Sequence, residues 1–402
     1  MRGVQCLILL VMAFITQYGY ANSNTLDAQI HISAFAEDNY GLRRGHNRND
    51  VTGWEQQAQI KITSDTGINQ YSGGLKLKNQ DIDAVGQLED DQFDVFAGFT
   101  RSLETSRFSA DARYEQDTTL SDEFITGSNN LLRTDTERYR TTLNLNYLWL
   151  PTETTYWNFT VSGEDLDYEG NPIRLFPYQY YVFVVQPNWD YSSTQSVYLS
   201  LVKSRLDYEE REVSSVIPTY VDSSSASLGW RYEFSERSSL DLSVGYRQTE
   251  YEQIFQLCFP CQTLQTFNFE GDGVTYNVEY SYKGEQSRGV LRFSQASSPN
   301  SSGRVLNERK SFASYRYNTS KRLSFDGSIE YVEQSDDLES LLINDYDTLY
   351  VYLSAYWRVY RAVSVFSRYR YISREEALFE DDKTESNRLD VGLRWIFDPN
   401  YF

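Results

Sequence analysis

The chain has 402 residues and a formal net charge of −20, and it carries 33 Tyr, 22 Phe and 7 Trp. So many aromatics exclude a disordered chain even at a mean hydropathy of −0.57, and no apolar run reaches the roughly 20 residues of a membrane helix. The acidity also excludes nucleic acid as a partner, because phosphate backbones are held by Lys/Arg patches.

In chain order, the first segment stands apart. Arg2 is a minimal basic start, Leu7 to Ile15 (LILLVMAFI) is an apolar core, and Gly19-Tyr20-Ala21 is a small-x-small cleavage site. This predicts a secretory signal peptide over 1–21 and one domain over 22–402. Cys6 would leave with the peptide.

From Asp27 onward a single pattern repeats to Phe397. Apolar or aromatic residues alternate with polar ones over about ten residues, then a turn follows. Phe93, Val95, Ala97 and Phe99 alternate in this way, as do Leu240, Leu242, Val244 and Tyr246, and finally Leu389, Val391, Leu393, Trp395 and Phe397. Period two is that of a strand with one apolar and one polar face. The connections alternate in length: short turns at 63–70, 101–106, 150–155, 191–196, 235–239, 283–287, 318–322 and 359–362, and long loops at 38–53, 79–91, 115–137, 165–177, 205–222, 248–272, 295–308, 333–347 and 374–386. The fold class expected is all-β, a transmembrane antiparallel β-barrel of about 18 strands with short periplasmic turns and long extracellular loops. Both termini then lie on the periplasmic side of a bacterial outer membrane. The partners expected are outer-membrane lipid and the barrel-insertion machinery.

The polar face of the pattern supplies the candidate lumen-lining residues: Arg231, Arg247, Arg292, Arg316, Arg358, Arg368, Arg370 and Arg394, with Asp326, Glu330 and Asp390, and with Asp241 and Glu279 as companions. Charge on a lipid face costs about 2–4 kcal/mol at mid-membrane, so the lumen is where these belong. They can guide an anionic solute or polymer, or pair across strands and stiffen the wall.

The long connections are acidic. Segment 79–91 holds Asp81, Asp83, Glu89, Asp90 and Asp91, and 333–347 holds Glu333, Asp336, Asp337, Glu339, Asp345 and Asp347. Neither matches a calcium motif, and a solvated loop surface is expected. Cys258 and Cys261 (Cys-Phe-Pro-Cys) sit in 248–272. In an oxidising compartment they are expected to form a local disulfide. No metal site and no cofactor is expected. The two histidines, His31 and His46, stand in no motif with a nucleophile, and no enzymatic activity is expected.

Three C-terminal stretches carry a family resemblance: FSQASSPNSSGRVLNERKSFASYRYNTSKRLSFDGSIEYVEQSDD at 293–337, LYVYLSAYWRVYRAVSVFSRYRYISREE at 349–376 and SNRLDVGLRWIF at 386–397. A Ser-Pro-x-Ser-Ser-Gly loop precedes a Tyr-rich hairpin, then a second hairpin with a Tyr-Arg-Tyr strand, then the closing strand. In this the chain resembles the outer-membrane β-barrel porins associated with exopolysaccharide (PEP-CTERM-type) systems of Gram-negative bacteria. The resemblance implies an outer-membrane location and a part in exopolysaccharide export, and it brings no catalytic residues.

The function expected is a porin-like channel serving polysaccharide export or the passage of small polar solutes. Two alternatives remain: a non-transporting surface barrel (receptor, adhesin or scaffold), and a sheath for an electron-transfer cytochrome.

Overall fold

The computed structural model describes residues 23–40, 50–83, 88–118, 136–170, 176–209, 216–256, 264–299, 305–336, 346–376 and 383–397. Residues 1–21, where a signal peptide is expected, together with His46, Cys258, Cys261 and the tail after Phe397, lie outside them. The described residues form strands and the connections beside them. In chain order the strands are β1 Ser23–Glu37, β2 Val51–Asp65, β3 Asn69–Asp83, β4 Leu88–Ser102, β5 Ser106–Thr118, β6 Glu137–Trp149, β7 Thr155–Tyr168, β8 Tyr178–Ser192 and β9 Gln195–Tyr208. The second half holds β10 Val216–Ser235, β11 Ser238–Gln256, β12 Leu264–Lys283, β13 Ser287–Pro299, β14 Val305–Asn318, β15 Leu323–Asp336, β16 Tyr346–Arg358, β17 Val363–Glu376 and β18 Thr384–Phe397.

Each strand pairs antiparallel with its chain neighbours, and β1 also pairs with β18, from Ala28 opposite Phe397 to Glu37 opposite Arg388. The result is a closed 18-stranded barrel. Closure leaves no strand without a neighbour on either side, which a sheet surrounded by hydrocarbon requires, although β12 meets β13 only from Tyr276 to Lys283.

Alternation sorts the side chains onto two faces. The outer one carries an apolar band that includes Ile30, Leu143, Phe183, Leu228, Val244, Ile329, Leu353 and Val391, all exposed, Leu228 by 62%. Aromatics bound this band at both ends. Trp149, Trp189, Phe234, Tyr282, Tyr317, Trp357 and Trp395 stand next to the short connections or the C-terminal end of β18. Toward the other end, Tyr181, Tyr331, Tyr369 and Tyr371 send their hydroxyls to Gln179, Asp347, Asn387 and Glu385 at 2.6–3.0 Å. Each ring is thus apolar at its body and polar at its tip, the form favoured where hydrocarbon meets water.

The strands run further than alternation alone indicates, 13 to 20 residues each. Several expected loops are therefore strand in part. Asp81 and Asp83 end β3, and Glu89, Asp90 and Asp91 begin β4. Glu333 and Asp336 belong to β15, Asp347 to β16, and β11 continues to Gln256. The reason is physical: beyond the apolar band the outer face turns polar while the inner face gains buried apolar residues such as Ile82 and Val332, so the alternation fades or reverses while backbone pairing continues. The acids of 79–91 are not one solvated surface either. Asp90 is buried on the inner face beside Lys78 Nζ (4.0 Å) and accepts from Thr118 (2.6 Å), while Asp91 accepts from Asn79 on the outside.

The connection between β2 and β3 shows how tightly one end is closed. Gly67 has φ of 87°, a value that suits glycine, and the Asp65 carboxylate accepts its N–H at 2.6 Å.

Candidate functional site

The register fixes which side chains share the inner face. Across β10 to β13 one row reads Arg231, Asp241, Glu279, Arg292. Across β13 to β18 another reads Arg288, Arg316, Asp326, Ser354, Arg368, Asp390. The remaining candidates, Arg247, Arg358, Arg370, Arg394 and Glu330, fall on the same face by strand parity. On this face side chains two strands apart touch, as they do on a concave wall. Tyr198 of β9 donates to Asp241 of β11 (2.6 Å), and His31 of β1 packs edge-on against Phe366 of β17 (ring centres 4.4 Å apart).

The arginines differ in what holds them. Arg231 bonds Asp241 (2.9 Å), Arg292 bonds Glu279 (2.6 Å), and Arg316 bonds Asp326. These guanidinium groups are 41–57% exposed, so each pair contributes about 0–1 kcal/mol. Arg370 reaches Glu37 at 3.2 Å. Arg247 is buried. Arg394 donates to the Gln29 amide oxygen at 2.7 Å. Arg368 lies 4.5 Å over the Phe366 ring, with Nη2 3.3 Å from His31 Nδ1. Arg358 stands opposite Ser364, and no carboxylate among the described residues pairs with it or with Arg288. Glu330 lines a recess of about 250 Å³ with Glu308, Lys310 and Tyr350.

Around the expected Asp390, residues that sequence reasoning missed, Arg388, Glu37, Glu55 and Lys78, form a buried ionic network in this wall. Arg388 donates to Asp390 (2.8 Å) and Glu55 (3.3 Å), comes within 3.7 Å of Glu37, and lies 4.0 Å over the Phe35 ring. All three carboxylates and the guanidinium are at most 10% exposed. Lys78 extends the network from Glu55 (3.7 Å) to Asp90. On the neighbouring strands Arg113–Asp94 and Arg138–Asp117 are two-pronged pairs. One signal was present: Arg388 has the parity of Asp390 and Arg394, one step before the alternation becomes visible at Leu389.

Glycine makes the His31–Phe366 contact possible. A Cβ at Gly392 would stand 2.3 Å from the Ile32 carbonyl oxygen and 2.5 Å from Phe366 Cζ. Gly392→Val is expected to lift Phe366 off His31 and cost on the order of 1–3 kcal/mol, as overpacking does. Urea unfolding in lipid vesicles checks it; a variant as stable as the wild type would contradict it.

Among the described residues no three His, Cys, Asp or Glu side chains converge as a metal site. No protein-family model matches the chain, and no curated protein does. Several solved structures share the course of the backbone. OccK5 (OpdH) of Pseudomonas aeruginosa is 9% identical, with 94% of this chain and 99% of that one covered at a TM-score of 0.48. OccK7 (OpdD) of the same organism gives 9%, 94%, 99% and 0.47. The ferric yersiniabactin uptake receptor FyuA of Yersinia pestis gives 10%, 92%, 80% and 0.45. Likeness at this level says nothing of a solute or partner.

Proposed function

We propose that the chain is an outer-membrane barrel acting as a porin-like channel. The observation that carries this is the division of its faces: an unbroken apolar band with aromatic borders outside, and a charged, partly exposed wall inside a closed sheet. The band suits hydrocarbon, the aromatic tips suit its two interfaces, and 18 strands are wide enough to leave an aqueous passage. The short connections belong to the periplasmic side, with both termini, and residues 1–21 to a signal peptide. Passage of polysaccharide to the cell surface is the narrower reading, and it rests on the resemblance of 293–337, 349–376 and 386–397. No catalytic step is assigned to the chain.

A second reading, the non-transporting surface barrel, is favoured by one feature. Toward the long connections the inner face turns apolar, and Leu206, Tyr208, Val221 and Tyr251 bury themselves against Phe176, which precedes β8. A mouth narrowed in this way suits a receptor. Recording from single molecules of the refolded protein in planar bilayers separates the two. Large, steady conductance is expected; a correctly folded barrel that passes no current would overturn the channel reading in favour of the second.

A further inference from the structure

Strands β10, β11 and β12 have 20, 19 and 20 residues, against 13 to 15 in the rest of the wall. They stay paired with one another to their far ends, Val216 opposite Phe255 and Gln256 opposite Leu264. The flanking strands leave them sooner: β9 pairs with β10 only as far as Tyr220, and β13 with β12 only as far as Tyr276. Among the described residues the three strands thus form a blade that outruns both neighbours and has two edges. The β10 edge is short, Val216 to Thr219, and carries Pro218, and both features protect a bare edge. The β12 edge has neither. It runs from Leu264 to Thr275, about 37 Å at the rise of an antiparallel strand, with no proline.

Which backbone groups the edge offers follows from the ladder. The Lys283 N–H donates toward β11, to the Arg237 carbonyl at 2.7 Å, and the Gly284 N–H donates toward β13, to the Ser287 carbonyl at 2.7 Å. The side alternates along an antiparallel strand, and β12 pairs with β11 without a register shift. Thr266, Asn268, Glu270, Asp272 and Val274 therefore aim their N–H and C=O at the edge, with their side chains on the outer face. Between them, Gly271 and Gly273 hold inner positions. A Cβ at Gly273 would meet only Arg247 Nη2, at 3.5 Å. The wall's own packing does not call for glycine there, and glycine in a strand leaves room for another chain to approach.

Charge selects the occupant. Asp222, Glu250 and Glu270 stand directly opposite one another across the three strands. Asp222 has Lys203 at 3.8 Å and Arg205 at 3.6 Å, whereas no cation among the described residues pairs with Glu250 or Glu270. Like charges in register repel, and the next place in that row is the one an added strand would fill. A second copy of the same edge would set Glu270 and Asp272 against their own counterparts. We propose that the β12 edge takes up, by strand addition, an extended protein segment in which Lys or Arg alternates with bulky apolar residues, the cations beside Glu270 and Asp272 and the apolar side chains over the two glycines. The proposal goes beyond the channel reading and does not depend on it.

The test uses the full barrel in phosphatidylcholine nanodiscs, with empty nanodiscs as the blank, and a fluorescein-labelled peptide of sequence KTKFKTKVKTK read by anisotropy. Binding to the wild type is expected. The same peptide methylated on two lysine backbone nitrogens keeps every charge but loses two strand donors, and it should bind about tenfold more weakly or worse. N268P, which blocks the edge without touching a β11 bond, should weaken the unmodified peptide as much and unfold in urea at the wild-type midpoint. E250Q/E270Q should weaken it about threefold and flatten its salt dependence. Equal binding of the methylated peptide, or full binding to N268P, would reduce the effect to charge attraction and overturn strand addition. No binding to the wild type overturns it as well, and a lower midpoint for N268P would mean that this N–H is already in use and the edge closed. Dimerisation of the barrel that N268P abolishes would give the edge to a second copy and overturn the basic segment.

Discussion

Replacing Arg388 by Met is expected to destabilise the barrel by about 3–5 kcal/mol, the usual consequence of removing one partner from a buried ionic network. The guanidinium sits among Glu37, Glu55 and Asp390, all nearly out of water. The loss falls unevenly. Glu37 retains Arg370 and the Ser386 hydroxyl, and Glu55 retains Lys78, whereas the ion pair of Asp390 is with Arg388. Hence R388M/D390N should recover about 1–3 kcal/mol relative to R388M, a coupling that a double-mutant cycle reads directly. Lysine is a poor substitute, since it cannot fork between Glu55 and Asp390 while lying flat on Phe35. Urea unfolding of the vesicle-inserted protein, followed by tryptophan emission, gives both numbers. An R388M protein within 1 kcal/mol of the wild type would show that the network is not what holds β18 to β1 and β2.

The same strands show what a sequence can and cannot disclose. In β18 the contrast between Leu389, Val391, Leu393, Trp395 and the residues between them made both the strand and its inner face legible. Arg394 and Asp390 followed from parity alone. Arg388 escaped because the outer face becomes polar at Asn387, which ends the contrast without ending the strand. At the far ends of β11 and β12 the outer positions are Gln248, Glu250 and Glu252, then Glu270 and Asp272. Pairing continues from Tyr251 opposite Phe269 to Gln256 opposite Leu264 through residues that alternation cannot sort. Contacts across an intervening strand were out of reach for another reason. Phe366 reads as an apolar residue on a polar face, an apparent error of pattern. Only the closed sheet brings it over Gly392 to His31. Phase within one strand is local information, whereas the join between β1 and β18 links residues more than 300 positions apart.

Two adjacent residues of β15 carry the sharpest test of the faces. Ile329 stands on the outer band, 47% exposed, opposite Ala313 and Val351. Ser328 stands on the inner wall opposite Ser314 and Tyr352, with Asp326 and Glu330 at the inner positions on either side of it along the strand. Ile329→Arg places a charge in hydrocarbon near the middle of the band and is expected to cost about 2–4 kcal/mol. Ser328→Arg introduces the same side chain one residue earlier, yet it meets water and two carboxylates, and its cost should stay below about 1 kcal/mol. Because the two variants share net charge and strand and gain the same side chain one residue apart, the denatured-state effect of the added charge is nearly common to both. The difference in their urea midpoints then reports which side of the wall faces lipid. Equal losses would mean that the apolar band does not sit in a membrane. A larger loss for Ser328→Arg would mean that the interior is packed rather than open, and the channel reading would fall with it.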